Sequence, residues 1–363
     1  MSQFNSISDL LHESGAQFRI FDMGRRISKI SSGQFEKLEQ GMIPYPLPYL
    51  HHAWLALMLW NNKDKQQNVV WFLKFPLDEQ GFLIQAVRDD FLNRLMQNIS
   101  QMLQKENLDQ SNDALKDNPF SFTPDQEKMA MFHAQSATII QQPASQFYSG
   151  TKAYFSGDLG WENWSTLGYQ GIADLAARLD EENNSAYLLN AIPHLPKEPL
   201  SALCTCLEHV EPDHRIAEAL YHRLQQQLHT DQQQPENANL AAALLRGLSN
   251  IHNEALKKAA IEETLASSYA EKAEVLTAIA TRCNASLQYP DLLSLYLEKL
   301  AVSEAGQTGF SRILADLMFI PVMRVLILQA FRNPQRSEAL SVAIGQMFGT
   351  SFENSTKAEV TKN

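Results

Sequence analysis

The fold is decided by the stretch NANLAAALLRGLSNIHNEALKKAAIEETLASSYAEKAEVLTAIATR, residues 237–282. Apolar residues recur in it every three or four positions, which is the period of an amphipathic helix. Only a few residues separate one helical stretch from the next, and no strand pattern intervenes. The same pattern extends in both directions, and we predict helices at residues 168–179, 184–194, 198–209, 213–228, 237–249, 253–267, 270–282, 290–301, 309–319, 321–331 and 335–348.

Short helices in such close succession must pack against their neighbours to bury their apolar faces. A weak internal repeat supports this interpretation, because similar Leu-Leu or Val-Leu pairs begin at Leu188, Leu244 and Val275. Their offsets of 56 and 31 residues are too irregular for a strict repeat. We therefore predict an all-α, HEAT-like irregular solenoid, with a compact helical bundle as the alternative.

The first part of the chain has a different pattern. Helical spacing at residues 6–14, 34–40 and 84–102 alternates with strand signals at residues 18–22 and 26–30. Two continuous apolar runs, residues 53–60 and 69–75, predict central strands joined by a polar hairpin loop at residues 61–67. Together these elements predict a small α+β domain with an antiparallel sheet.

We place the domain boundaries by composition. The polar stretch before Asn118 ends the α+β domain, residues 1–118, and the helical array occupies residues 119–349. Thr123, Pro124 and Gln126 form a capping-box signal for the first helix of the array. The polar residues 350–363 lack an apolar stripe and predict a disordered tail.

Charge and cysteine content restrict the class of protein. The net charge is −11, and residues 119–363 carry 18 Lys and Arg against 27 Asp and Glu. An acidic helical half argues against a nucleic-acid partner, which requires clustered cations. Three cysteines cannot form a disulfide framework, and no apolar run reaches the length of a membrane span. We expect a cytoplasmic protein without a membrane or nucleic-acid partner.

Four segments together carry a family resemblance: FRIFDMGRR at residues 18–26, PYPLP at residues 44–48, WFLKFPLDEQG at residues 71–81, and the Gly160-Trp161-Glu162 region. In these segments the chain resembles a bacterial family of conserved hypothetical proteins, a domain of unknown function. The resemblance extends over nearly the whole chain. No activity is known for that family, so it implies no catalytic residue.

Two groups of residues are candidates for binding. Trp161 and Trp164 lie among glycines, next to Asp158, in a loop that predicts either a packed junction or an exposed recognition site for a protein partner. Arg25 and Arg26, with Arg19 near the same hairpin, could bind a carboxylate or phosphate through their guanidinium groups. Charged hairpin tips are more often simply solvated, so both interpretations of the arginines stay open.

We predict no metal site and no cofactor. One residue separates Cys204 from Cys206, whereas zinc-binding cysteine pairs are usually separated by two to four residues. We therefore expect these thiols to be small buried residues, with His209 and His214 as polar side chains nearby. The sequence contains no phosphate-binding glycine loop, no dinucleotide fingerprint, no zinc-protease motif and no hydrolase nucleophile elbow.

The pattern as a whole favours a non-catalytic protein that binds a protein partner through the helical array. Two alternatives stay open. One is an enzyme or ligand-binding protein with a site between the two domains that uses Arg25, Arg26 and a carboxylate. The other is a structural subunit of a homo-oligomer, which would expose a self-complementary apolar patch.

Overall fold

The computed structural model describes residues 6–61, 68–104, 118–181, 183–230 and 235–360. Its N-terminal part contains a four-stranded antiparallel sheet with the order β2-β1-β3-β4. The strands are β1 (Gln17–Asp22), β2 (Ser28–Ile30), β3 (His52–Trp60) and β4 (Asn68–Pro76). Ile20 pairs with Leu57 and Leu55 pairs with Leu73, so these apolar side chains share one face. The predicted α+β fold of this region is confirmed.

One detail of the sheet corrects the prediction. β3 is central, but β4 lies at the edge of the sheet, although its apolar run suggested a central strand. The outer edge of β4 is covered by a short segment after residue 117. The Lys74 amide donates to the carbonyl of Phe120 at 2.7 Å, and the Phe122 amide donates to that of Phe72 at 3.1 Å. The predicted hairpin loop lies outside the described residues except for Asn61.

Helices α1 (Ile7–Glu13), α2 (Ser32–Glu39) and α3 (Gln85–Gln104) accompany this sheet. Ile7, Phe35 and Phe91 from the three helices pack with Leu55 and Phe75 of the sheet in one apolar core. Side-chain caps define the helix starts: Ser6 accepts the amide of Asp9 and Ser31 accepts that of Gln34, which satisfies amides that have no partner in the first turn.

Thirteen α-helices follow within the described residues, as the periodicity predicted. Their bounds are α4 (Gln126–Ile139), α5 (Tyr148–Phe155), α6 (Tyr169–Ala177), α7 (Asn184–Ala191), α8 (Lys197–Leu207), α9 (His214–Leu228), α10 (Pro235–Leu248), α11 (Glu254–Ala266), α12 (Ala273–Arg282), α13 (Pro290–Ala301), α14 (Gly306–Met318), α15 (Pro321–Ala330) and α16 (Glu338–Val360). The protein is mainly α-helical overall.

Two helix ends differ from the predictions. Asp125, not Thr123, accepts the Lys128 amide at 2.7 Å, so the first turn of α4 begins two residues later than the capping-box signal indicated. Helix α16 continues past residue 349 as far as Val360. The disorder expected of residues 350–363 stays a prediction. Residues 361–363 lie outside the described part.

The helices contact one another in a regular order. From α5 to α12 each helix contacts the helix two positions further along: α5 with α7, α6 with α8, α7 with α9, α8 with α10, α9 with α11, α10 with α12, α11 with α13, and α12 with α14. Consecutive helices such as α9 and α10 also contact each other. α16 contacts α13 and α14.

By its contacts the chain divides into two compact units. The first comprises Met1–Phe132, Ile139–Gln142 and Phe319–Pro321 and contains the sheet. The second comprises His133–Thr138, Pro143–Met318 and Val322–Asn363 and contains most of the helices.

Candidate functional site

The three arginines of the predicted anion site have separate surroundings. Arg19, on β1, is half-buried; its guanidinium lies 5.5 Å from the ring of Trp60 and donates to the Phe18 carbonyl. Arg25 is only 1% exposed, and its Nε donates to the Pro48 carbonyl at 3.0 Å. Arg26 is half-buried. Burial of Arg25 withdraws its guanidinium from the surface, which the sequence did not indicate.

A buried carboxyl group stands next to Arg25. Asp22 ends β1 and is 2% exposed; its Oδ1 accepts the Tyr45 hydroxyl at 2.6 Å and the Gly24 amide at 3.2 Å. The Lys128 ammonium donates to the carbonyls of Met23 and Gly24. Within the described residues, Oδ2 of Asp22 has no hydrogen-bond partner.

Burial raises the pKa of Asp22 to about 7, although the hydrogen bonds from Tyr45 and Gly24 and the charges of Lys128 and Arg25 oppose the shift. Burial and the neighbouring carboxylate also raise the pKa of Tyr45 well above its ordinary value. Sequence reasoning missed this pair, because nothing in the sequence places Tyr45, in a proline-rich segment, against the end of β1. The arrangement provides a carboxyl group that exchanges a proton near neutral pH.

The tryptophan loop forms a compact turn within the helical unit. Trp161 begins a 3₁₀ helix, Trp161–Thr166, and stacks on His194 with ring centroids 5.6 Å apart. Tyr154 meets it edge to face and donates its hydroxyl to the Trp161 carbonyl at 2.7 Å. Gly157 has φ +93°, and a Cβ there would lie 3.2 Å from the indole, so the turn requires glycine. Trp161 is therefore a packing residue of this turn.

Of the other two loop candidates, the tryptophan has the same burial class as Trp161, which is itself half-buried. Trp164 is half-buried and Asp158 is exposed, where its carboxylate accepts the Ser156 hydroxyl at 2.7 Å. The loop thus combines two half-buried indoles, one of them stacked on His194, with an exposed carboxylate. Such a combination of aromatic and charged groups is typical of a protein-binding surface.

A second polar cluster connects three helices of the array. Glu208, which follows α8, is 0% exposed and accepts from Arg246 of α10 at 2.5 and 3.1 Å and pairs with Arg282 of α12 at 3.0 Å. His209 Nε2 lies 3.4 Å from the same carboxylate. Burial alone would raise the pKa of Glu208, but Arg282, Arg246 and His209 together lower it to about 2.

The cysteines lie in this part of the array and are buried. Burial raises the pKa of the Cys204 thiol to about 12, so it is protonated at neutral pH and a poor metal ligand. His209 pairs with Glu208, and His214 is exposed at the start of α9. Across the described ranges, no three His, Cys, Asp or Glu side chains are grouped so that they could hold a metal ion.

The protein is mainly helical, and the unit at its N-terminal end contains the antiparallel sheet. Residues 2–348 match the family described as "Protein of unknown function (DUF3549)". The match covers nearly the whole chain, and the chain belongs to this family, which confirms the resemblance seen in the sequence. No curated protein matches the chain, and no solved structure matches it. In the described part of the chain, no helix is both long and apolar enough to cross a membrane.

Proposed function

We propose that the protein is a non-catalytic scaffold that binds a protein partner on an irregular, HEAT-like α-solenoid. The observation that carries the proposal is the order of helix contacts, in which each helix from α5 to α12 contacts the one two positions further along. Contacts of this order arrange helices in two stacked rows, as in helical-repeat proteins, and such stacks present extended surfaces to partners.

Close packing supports a rigid surface. In α10 the residues Ala241, Leu244, Leu245 and Leu248 are buried. A Cβ on Gly247 would lie 3.2 Å from that of Cys204, so α8 and α10 approach closely where a side chain is missing. The Glu208 cluster adds ionic contacts from α8 to α10 and α12. A surface built on such helices loses little freedom on binding, which favours affinity.

Charge indicates the kind of partner that this acidic surface favours. Residues 119–363 carry a balance of −9, so the field of the array accelerates the approach of a basic protein. Trp164 and Asp158 are the candidates for contact within the tryptophan loop, whereas Trp161 supports the loop from within.

Affinity purification of the full chain from its native cell at moderate salt, followed by mass spectrometry, tests the proposal. We expect repeated recovery of one protein, which the purified chain then binds in calorimetry with an affinity that falls as salt rises. Trp164→Ala should weaken that binding without changing the melting temperature, whereas Trp161→Ala should lower the melting temperature. Recovery of a small molecule alone would contradict the proposal.

A second candidate function is an enzyme or ligand-binding protein. The observation that favours it is the Asp22 cluster, where a buried carboxyl with a pKa of about 7 lies beside Tyr45 and Arg25. Groups of this kind are common in active sites. Native mass spectrometry of the purified chain and of Asp22→Asn tests this candidate: a small molecule retained only by the unchanged chain would support it, and identical spectra would contradict it.

A further inference from the structure

Helix α15 has apolar side chains on both of its faces. Met323 and Ile327 are fully buried, whereas Val322, Val325 and Leu328 are 54%, 57% and 38% exposed. A helix that is apolar all round is normally buried on every side. The inner face of α15 meets this expectation, and the outer face exposes its apolar residues to solvent.

The exposed side chains form one stripe, which we call the α15 stripe: Val322, Val325 and Leu328. Residues three apart on a helix lie on the same side, so the three side chains follow one another along the outer face. At about 1.5 Å per residue, a helix of ten residues is roughly 15 Å long. The stripe runs from Val322 to Leu328 within this helix, so it is about 9 Å, or just under two turns, long and one helix wide.

The charge of the sequence segment that contains the stripe is opposite to that of the chain. Residues 317–337 contain no Asp or Glu but three arginines, in a protein of net charge −11. Arg324 is exposed on α15 itself, with its Nε donating to the Met318 carbonyl, and Arg332 is exposed just after the helix. Arg336 is half-buried and donates to Phe331 and Ser341. An apolar stripe with exposed cations on and just beyond its helix suits a partner that is apolar and acidic.

We propose that the α15 stripe is a docking site for an amphipathic helix of a partner protein, one whose apolar face is flanked by carboxylates. The apolar face would cover Val322, Val325 and Leu328, and the carboxylates would pair with Arg324 and Arg332. Residues at helical spacing would act as anchors on both sides of this contact, as they do where an amphipathic helix binds an apolar surface.

The size of the stripe favours a helix over a second copy of the chain. A stable dimer buries about 800 Å² on each partner. A face roughly 9 Å long and about 10 Å wide covers only a small part of such an interface. It matches the contact surface of about two turns of a helix. The inference goes beyond the proposed function, which concerns the acidic surface of the array and a basic partner, so either can fail without the other.

The test uses the full chain and three fluorescent peptides of about 14 residues, a length of roughly four helical turns. The first has leucines at helical spacing with glutamates elsewhere, the second replaces the glutamates with lysines, and the third replaces the leucines with glutamines. We expect fluorescence anisotropy to show that the first peptide binds at least about tenfold more tightly than the others, and more weakly at high salt.

Variants locate the binding. Val322→Ser, Val325→Ser and Leu328→Gln combined should weaken binding of the acidic peptide about tenfold or more. Arg324→Gln with Arg332→Gln should weaken it and remove most of the salt dependence. A matched control, Val302→Ser with Met42→Gln, removes exposed apolar groups elsewhere and should leave binding unchanged. Unchanged melting temperatures would show that each variant is folded.

Two results would overturn the proposal. One is equal binding of the acidic and basic peptides, or binding that the stripe variant does not weaken. The other is a concentration-dependent mass in sedimentation equilibrium that the stripe variant abolishes, because a second copy of the chain would then occupy the stripe. Neither result would affect the affinity-purification test of the proposed function, which concerns the acidic surface and a basic partner.

Discussion

Replacing Glu208 by glutamine tests the ionic connection between α8, α10 and α12. The folded protein holds the pKa of this carboxyl at about 2, against an ordinary value of 4.5. Each pKa unit corresponds to about 1.4 kcal/mol, so ionised Glu208 stabilises the folded state by about 3 kcal/mol at neutral pH. Glu208→Gln removes this contribution and leaves Arg246 and Arg282 facing an amide instead of a carboxylate.

The pH dependence has a definite sign. A carboxyl whose pKa is lower in the folded state stabilises the protein above its unfolded pKa and loses this effect as protons bind. The difference between the unchanged chain and Glu208→Gln should therefore be full above about pH 5 and shrink as the pH falls through 4.5 toward 2.

Amide hydrogen exchange resolved by helix is the appropriate assay, because it reports local stability in a protein with two compact units. At neutral pH, Glu208→Gln should accelerate the slowest amides of α8, α10 and α12 by roughly a hundredfold. The control is Glu262→Gln, which removes an exposed partner of Lys258 and should change stability by less than about 0.5 kcal/mol. Equal small effects of both substitutions would refute the reasoning.

Three further outcomes follow from the described contacts. The pKa of Asp22 is raised from 3.8 to about 7, so its ionisation opposes folding as the pH rises. Urea unfolding should show that the free energy of unfolding falls by about 3 kcal/mol between pH 5 and 8. Asp22→Asn should remove this dependence on pH. Gly171→Ala would place a Cβ against the Thr151 hydroxyl oxygen and 2.8 Å from the Phe147 carbonyl oxygen, and should lower the free energy of unfolding by about 1–3 kcal/mol in the same assay. No change would contradict this close approach of Gly171 to Phe147 and Thr151. A Cβ added at Gly150 would meet no atom within 4 Å. Gly150→Ala should therefore raise the free energy of unfolding by up to about 1 kcal/mol, because alanine favours a helix interior more than glycine does.

The elements of the fold were predictable because each has a local cause. The apolar spacing that predicts a helix at residues 213–228 ends at the same residue as α9. The apolar run at residues 53–60 lies within β3. The edge position of β4 was not predictable, because a strand covered by aromatic side chains has the same composition as a central one. The segment that covers its outer edge comes from residues after 117, and that pairing is nonlocal.

The candidate sites were less predictable, because burial depends on the tertiary structure. Arg25 lies among charged residues in the sequence, which suggested that it is exposed. In the structure its guanidinium is buried, donates to the Pro48 carbonyl and lies over the ring of Tyr49. The Asp22 carboxyl needs Tyr45, which is 23 residues away in the sequence. The sequence gives a signal for the α15 stripe, because residues 317–337 form an apolar segment with three arginines and no Asp or Glu. Only the structure shows which of these residues are exposed.

The central claim is that the helices form an array in which each depends on its neighbours, and a truncated chain tests it most directly. Removal of residues 338–363 deletes α16, which contacts α13 and α14. Hydrogen exchange of this shortened chain should show lost protection in α13 and α14 and unchanged protection in α8 and α10. Loss of protection in all helices together would show one cooperative globule and would contradict the account.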